Sequence, residues 1–385
     1  MDFTDYLDAN TTARIKQMGE EIPTPFLAVS LGKIEANYRL MEELFPGAGI
    51  YYAVKANPAD AIISRLHTLN SGFDVASTYE LDKVLALGVK PEKISFGNTI
   101  KKASQIRYCF EKGVRLFASD CESDIQNIAE QAPGAEVFIR ILTEGSETAD
   151  WPLSRKFGCQ PDMAVELMVL AKELGLKPIG ISFHVGSQQR ETSAWDAAIA
   201  KCKFIADRLD QHDISLKLLN IGGGLPTNYD NRTHDLDHYA RQIMRFLEED
   251  FTEEKPYIVL EPGRSLVGDA GVLVSEIVMI SRKSRDACQR WIYTDVGLFG
   301  GLIETLGEAI KYPVVCNKTG EEEEVILAGP TCDSMDIMYE DLMIPLPLSL
   351  EAGDKLYWLC TGAYTTSYSS VEFNGFPPLA SYIID

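Results

Sequence analysis

Lys55 stands in Tyr52-Ala53-Val54-Lys55-Ala56-Asn57, a short apolar run followed at once by the turn signal Asn57-Pro58. The run reads as a buried strand that ends at the lysine. A buried ammonium is costly unless something compensates it. At the C-terminal end of a parallel strand, beside a pocket, such an amine can form a Schiff base with an aldehyde cofactor. The plainer alternative is a lysine that snorkels to the rim of its strand. Glu261, in Glu261-Pro262-Gly263-Arg264, is a carboxylate at another strand end and needs a cationic or protonated partner. The pyridine nitrogen of pyridoxal phosphate is one such partner, and holding it protonated makes the ring an electron sink. An internal pair with Arg264 is the other.

Gly222-Gly223-Gly224 allows close backbone approach, and its N–H groups can cradle a phosphate. Arg264 and the Ser187 hydroxyl, in His184-Val185-Gly186-Ser187, can reach the same anion. His184 can stack on a flat cofactor ring or serve as an ordinary core residue. Gly329-Pro330-Thr331-Cys332-Asp333 presents a thiol and a carboxylate, or is simply a tight turn around a buried cysteine. Tyr364, in Gly362-Ala363-Tyr364, offers a phenol to a phosphate or to a core. His234 and His238 lie among Asp235 and Asp237 in a polar stretch that reads as solvated surface, and no metal site is expected.

The elements that must position these groups alternate. Strand candidates are Ile50–Ala56, Phe73–Ser77, Ile94–Asn98, Leu116–Asp120, Val137–Leu142, Gly180–Gly186, Leu216–Gly222 and Tyr257–Glu261. Helical patterns such as Ala59–Asn70, Tyr79–Gly88, Ala103–Gly113 and Ser193–Asp210 separate them, the last with one apolar face from Trp195 to Leu209. Eight βα units in about 210 residues fit a (β/α)8 barrel of the TIM type, residues 31–267, better than an open sheet. In such a barrel the site lies at the strand C-termini, where Lys55, His184, the triple glycine and Glu261 fall. After Arg264 the texture turns β-rich, with runs at Gly271–Ile280, Gln289–Tyr293, Val325–Ala328 and Lys355–Cys360. Residues 268–385 therefore read as a mainly β domain, on which residues 1–30 are expected to pack. The acidic run Glu321–Glu324 reads as a solvated loop.

The formal net charge of −21 disfavours a polyanionic partner such as nucleic acid. Eight scattered cysteines without a C-x-x-C pair point to reduced thiols in a cytoplasmic protein. Met1–Asn10 has no apolar core, so it does not read as a signal peptide, and no apolar stretch approaches the ~20 residues of a membrane span.

Taken in order, these segments, together with Phe73-Asp74-Val75-Ala76-Ser77, resemble the alanine-racemase-fold family of pyridoxal-phosphate enzymes, and within it the ornithine and lysine decarboxylases. The resemblance runs from Thr24 to the C-terminus. It implies that Lys55 holds the cofactor aldehyde, that His184 stacks on the ring and that Glu261 pairs with its nitrogen. Ser187, Gly223, Gly224, Arg264 and Tyr364 would hold the phosphate, with Asp74 and Arg140 as supports near Lys55. It further implies a homodimer in which Cys332 and Asp333 enter the partner's pocket, the thiol near the reacting carbon and the carboxylate near the substrate's distal amine. Lys156 would pair with Asp336 across that interface. The implied reaction is decarboxylation of a basic amino acid, ornithine or else lysine. A racemase is disfavoured by the carboxylate at Glu261, and a non-catalytic regulator by the presence of Lys55, Glu261 and Cys332 together. One departure stands out: close relatives commonly carry an aspartate where this chain has Gly307, and Glu308 is left as the candidate for the distal ammonium.

Overall fold

Each of the eight segments expected as barrel strands forms one: Gly49–Ala53, Gly72–Val75, Ile94–Phe96, Leu116–Ser119, Glu136–Arg140, Lys177–Ser182, Leu218–Asn220 and Tyr257–Leu260. The computed structural model describes residues 3–144, 146–152, 155–229, 233–252 and 255–385. The strands pair in parallel and in chain order. Val259 and Leu260 of the last register with Gly49 and Ile50 of the first, which closes the barrel. Ala118, Phe138, Leu218 and Val259, from four different strands, form a buried cluster inside it. Helices return the chain between strands, and Ser193–Leu209 buries the face its periodicity predicts, from Trp195 through Ala198, Ile199, Cys202 and Ile205 to Leu209. The helix Thr78–Ala86 is capped reciprocally. Ser77 Oγ accepts from Glu80 N at 3.2 Å, and Glu80 Oε2 accepts from Ala76 N at 2.6 Å.

The chain divides into two compact units. The barrel unit comprises Glu35–Pro226 and His234–Ser265; the second comprises the chain up to Ile34, Thr227–Thr233 and Leu266–Asp385. The second unit is built on an eight-stranded sheet. Its main path runs Val314–Cys316, Lys355–Leu359, Gly271–Ser281, Arg290–Thr294, Glu322–Ala328, Ile337–Pro347, and Phe26–Ser30 joins Gly271–Ser281 with Ala380–Ile384 beyond it. Two elements here differ from the sequence reading. The acidic run is not a loop: Glu322–Glu324 open a strand paired with Pro345–Pro347, and Arg282 Nη2 holds both oxygens of Glu323 at 2.6 and 2.7 Å. Ile337–Pro347 was hidden by its two prolines, which are tolerated because this strand ends the sheet path and needs no N–H on its outer side. Among the described residues no helix is long and apolar enough to cross a membrane.

A buried ion pair braces the barrel unit. Lys101 lies beyond the third strand with its side chain 1% exposed, and its Nζ donates to Asp124 Oδ2 at 2.6 Å and to the Ala118 carbonyl at 2.7 Å. Ser119 Oγ donates to the same Asp124 oxygen at 2.7 Å. Burial drives both ions toward their neutral forms, and their mutual attraction opposes it. Asp124→Asn is expected to destabilise the barrel by about 3–5 kcal/mol in urea unfolding, because it leaves the Lys101 ammonium buried without a counter-ion. The double change Lys101→Met with Asp124→Leu is expected to cost far less. A loss below about 1 kcal/mol for Asp124→Asn would show that the pair is not what holds these segments together.

Candidate active site

The chemically capable residues sit just past the strand ends, where the backbone leaves the barrel ladder. The first strand stops at Ala53, whose N–H donates to the Pro262 carbonyl at 3.0 Å. Lys55 follows in the tight turn Val54–Ala56 and is exposed. This corrects the sequence reading of a buried strand ending at the lysine: the turn carries the amine out of the apolar run, so no burial penalty arises. Its positive charge nevertheless acts on Asp74 and on His184.

The seventh and eighth strands lead into a connected corner. Asn220, 1% exposed at its strand end, accepts the Gly222 N–H through Oδ1 at 2.9 Å and donates through Nδ2 to Glu261 Oε1 at 2.5 Å. Glu261 N in turn donates to the Gly222 carbonyl at 2.8 Å. The glycines are required by the neighbouring backbone. A Cβ on Gly223 would fall 2.7 Å from the Glu261 carbonyl oxygen, and one on Gly224 would fall 2.5 Å from that of Gly186. Gly222 and Gly224 also hold φ of +67° and +98°, where side chains are strained.

Asp74 is buried, and its Oδ1 has no hydrogen-bond partner. Burial first, then the negative charge of Glu261, push its carboxyl well above the usual range, while Lys55 and Arg140 pull the other way. Arg140 lies over the Phe157 ring at 4.9 Å, and Glu261 and Asp74 both act on its charge. Burial, followed by Arg140 and Lys55, holds the His184 imidazole well below its ordinary range. Its Nδ1 accepts the Gly186 N–H at 3.0 Å, so the neutral ring carries its proton on Nε2. Arg264 is buried and donates from Nε to Ser187 Oγ at 3.1 Å.

Nine of the expected site residues are thus gathered in the barrel unit: Lys55, Asp74, Arg140, His184, Ser187, Gly223, Gly224, Glu261 and Arg264. The N–H groups of Gly223 and Gly224 find no partner among the described residues. Unused N–H donors near a buried arginine, together with a buried carboxyl oxygen lacking a partner, fit a ligand with an anionic end and a polar ring. Pyridoxal phosphate meets that description.

Tyr364, Cys332, Asp333 and Glu308 belong to the other unit. Tyr364 holds φ +57°. Cys332 is exposed, and its N–H donates to Asn374 Oδ1 at 2.9 Å. Asp333 Oδ1 accepts from Met335 N at 2.9 Å. Glu308, the candidate from sequence for the distal ammonium, is held by backbone donors. Its Oε1 accepts from the N–H groups of Glu340 and Asp341 at 2.8 Å, and Leu342 N reaches both oxygens at 3.0 and 2.9 Å. Three backbone donors occupy this carboxylate, so it fastens its turn to the strand Ile337–Pro347. Asp336, expected to meet Lys156, is 3% exposed and already takes Leu298 N, Thr331 N and Thr331 Oγ1. His234 and His238 stack on each other at 4.2 Å. Sequence reasoning missed Asn220; its only signal was a polar amide between an apolar pair and the triple glycine.

Comparison with known proteins converges on the same chemistry. Residues 31–268 match the family model of the pyridoxal binding domain of pyridoxal-dependent decarboxylases. A lysine/ornithine decarboxylase of Selenomonas ruminantium is 35% identical over 94% of this chain and 90% of its own length. Antizyme inhibitor 2 of Xenopus laevis is 30% identical over 91% of this chain and 79% of its own. The crystal structure of lysine/ornithine decarboxylase complexed with putrescine from Vibrio vulnificus superposes with a TM-score of 0.88 at 28% identity, covering 98% of this chain and 99% of that one. A closed parallel barrel, a corner fitted to a phosphorylated ring and a family match across more than half the chain lead to one conclusion: this chain belongs to the pyridoxal-phosphate-dependent decarboxylases of the lysine and ornithine group.

Proposed function

We propose that the chain decarboxylates L-ornithine to putrescine and CO2. The observation that carries this reading is the corner at the barrel's strand ends, where a carboxylate, Glu261, rather than a cation is held beside the glycine loop. Pyridoxal phosphate supplies the electron sink that accepts the electron pair left when CO2 departs. In this reading Lys55 holds the cofactor aldehyde and Glu261 faces the ring nitrogen. His184, neutral and flat, lies on the ring. Ser187, Gly223, Gly224, Arg264 and Tyr364 hold the phosphate, with Asp74 and Arg140 steadying the charges around Lys55.

The remaining groups act from a second subunit. Cys332 Sγ holds the proton that the product carbon receives, and Asp333 takes the distal ammonium. A homodimer is supported by the apolar surface around the cysteine loop: Met335 is 58% exposed, Val371 74% and Phe376 41%. Free thiols at all eight cysteines favour a reducing, cytoplasmic setting. The family also contains the antizyme inhibitor named above; the joint presence of Lys55, Glu261 and Cys332 favours an enzyme. A lysine or dual-specificity decarboxylase is the second reading. It is favoured by Gly307, which sits at φ +61° with open space around the position of a Cβ and so leaves room at its turn.

Three measurements test these statements. Cofactor-loaded protein is expected to release CO2 from L-ornithine with kcat/KM at least about tenfold above that for L-lysine, a ~1.4 kcal/mol preference. Equal or reversed values would establish the lysine or dual reading instead. Gly307→Asp is expected to lower KM for ornithine by about tenfold through an added carboxylate, at a backbone cost of roughly 1 kcal/mol in stability; an unchanged KM would remove that turn from the substrate. Mixing inactive Lys55→Ala and Cys332→Ala subunits is expected to restore activity that neither has alone. Continued silence in the mixture would mean that each subunit carries its own complete site.

A further inference from the structure

The amide of Asn220 is assigned without ambiguity by its neighbours. The Gly222 N–H can only donate, so the atom facing it at 2.9 Å is Oδ1; the group facing Glu261 Oε1 at 2.5 Å is then the NH2. Both ends of a side chain that is 1% exposed are therefore committed. One bond goes to the loop whose next two N–H groups lack partners, and the other to the carboxylate beside that loop. Glu261 Oε2 has no partner among the described residues. A free-swinging carboxylate could present either oxygen at many angles, and the short contact to Asn220 removes that freedom.

We propose that Asn220 is a positioning residue for the cofactor. By occupying Glu261 Oε1 it presents Oε2 to the ring nitrogen. By accepting the Gly222 N–H it fixes that carboxylate relative to the loop that meets the phosphate. One neutral side chain thereby sets the spacing between the two ends of the cofactor site. The inference rests on the reading of this site as the pyridoxal-phosphate site.

A double-mutant cycle on the full-length protein tests it, with equilibrium binding of pyridoxal phosphate as the readout. Asn220→Ala is expected to weaken binding about ten- to a hundredfold, the range of a hydrogen bond to a charged group. In an Glu261→Gln background the same change is expected to cost less than about threefold, because the partner it orients is already altered. Equal losses in both backgrounds would overturn the proposal and leave Asn220 as a structural strand end. If Asn220→Ala does not fold, Asn220→Ser is put through the same cycle, since its hydroxyl can serve only one of the two partners well. Wild-type protein that fails to bind pyridoxal phosphate would instead defeat the reading of the site itself.

Discussion

Ionisable groups crowded at one end of a barrel must share a limited tolerance for charge, and that constraint governs the rest of the site. Asp74 feels both Glu261 and the two cations Lys55 and Arg140. Its burial and the nearby carboxylate outweigh the cations, so its carboxyl is driven toward the protonated form. The same burial and the same two cations keep His184 neutral. An imidazolium there would place a third positive charge beside Lys55 and Arg140; a neutral imidazole adds none and offers a flat face. Glu261 accepts its hydrogen bond from a neutral amide, that of Asn220. A neutral partner matters at this point, because an additional ion would shift the balance on every neighbour.

The rigidity of this arrangement comes from backbone proximity. Gly222, Gly223 and Gly224 each lie where a Cβ would collide with a carbonyl oxygen, those of Phe183, Glu261 and Gly186 respectively. The loop is consequently threaded between two neighbouring strand ends, and its geometry is inherited from the barrel. Side chains hung on that frame, Asn220 and Glu261 among them, have their positions largely decided before any ligand binds. This is the sense in which a parallel barrel supplies a pre-formed site at its strand C-termini.

How much of this was legible beforehand depended on whether the deciding interaction was local. The barrel strands were readable because apolar runs of the right length recur between helical patterns, and the triple glycine was readable as a close approach. The exposure of Lys55 was not, because a strand and the turn that ends it share the same apolar residues, and only the Ala53 N–H bond to Pro262 marks the exit. The Glu322–Glu324 strand was hidden because the partner of its central charge, Arg282 against Glu323, is far away in sequence. Asn220 escaped notice for a similar reason: nothing near it in the chain shows that Glu261, 41 residues on, is its partner.

The acidic residues of the β unit show why residue type alone could not assign their roles. Glu308 and Asp336 each accept from three donors, the first from the N–H groups of Glu340, Asp341 and Leu342, the second from Leu298 N, Thr331 N and Thr331 Oγ1. A carboxylate given three donors is fixed in place by them, since moving it would break bonds already made. Asp333 differs: Met335 N occupies one oxygen, and the other has no partner among the described residues. It follows Cys332, which is exposed, in the chain. Asp333 thus keeps an acceptor oxygen open, whereas both oxygens of Glu308 and of Asp336 already take donors. The backbone bonds to Glu308 also hold the turn of Gly307, around whose Cβ position the space is open.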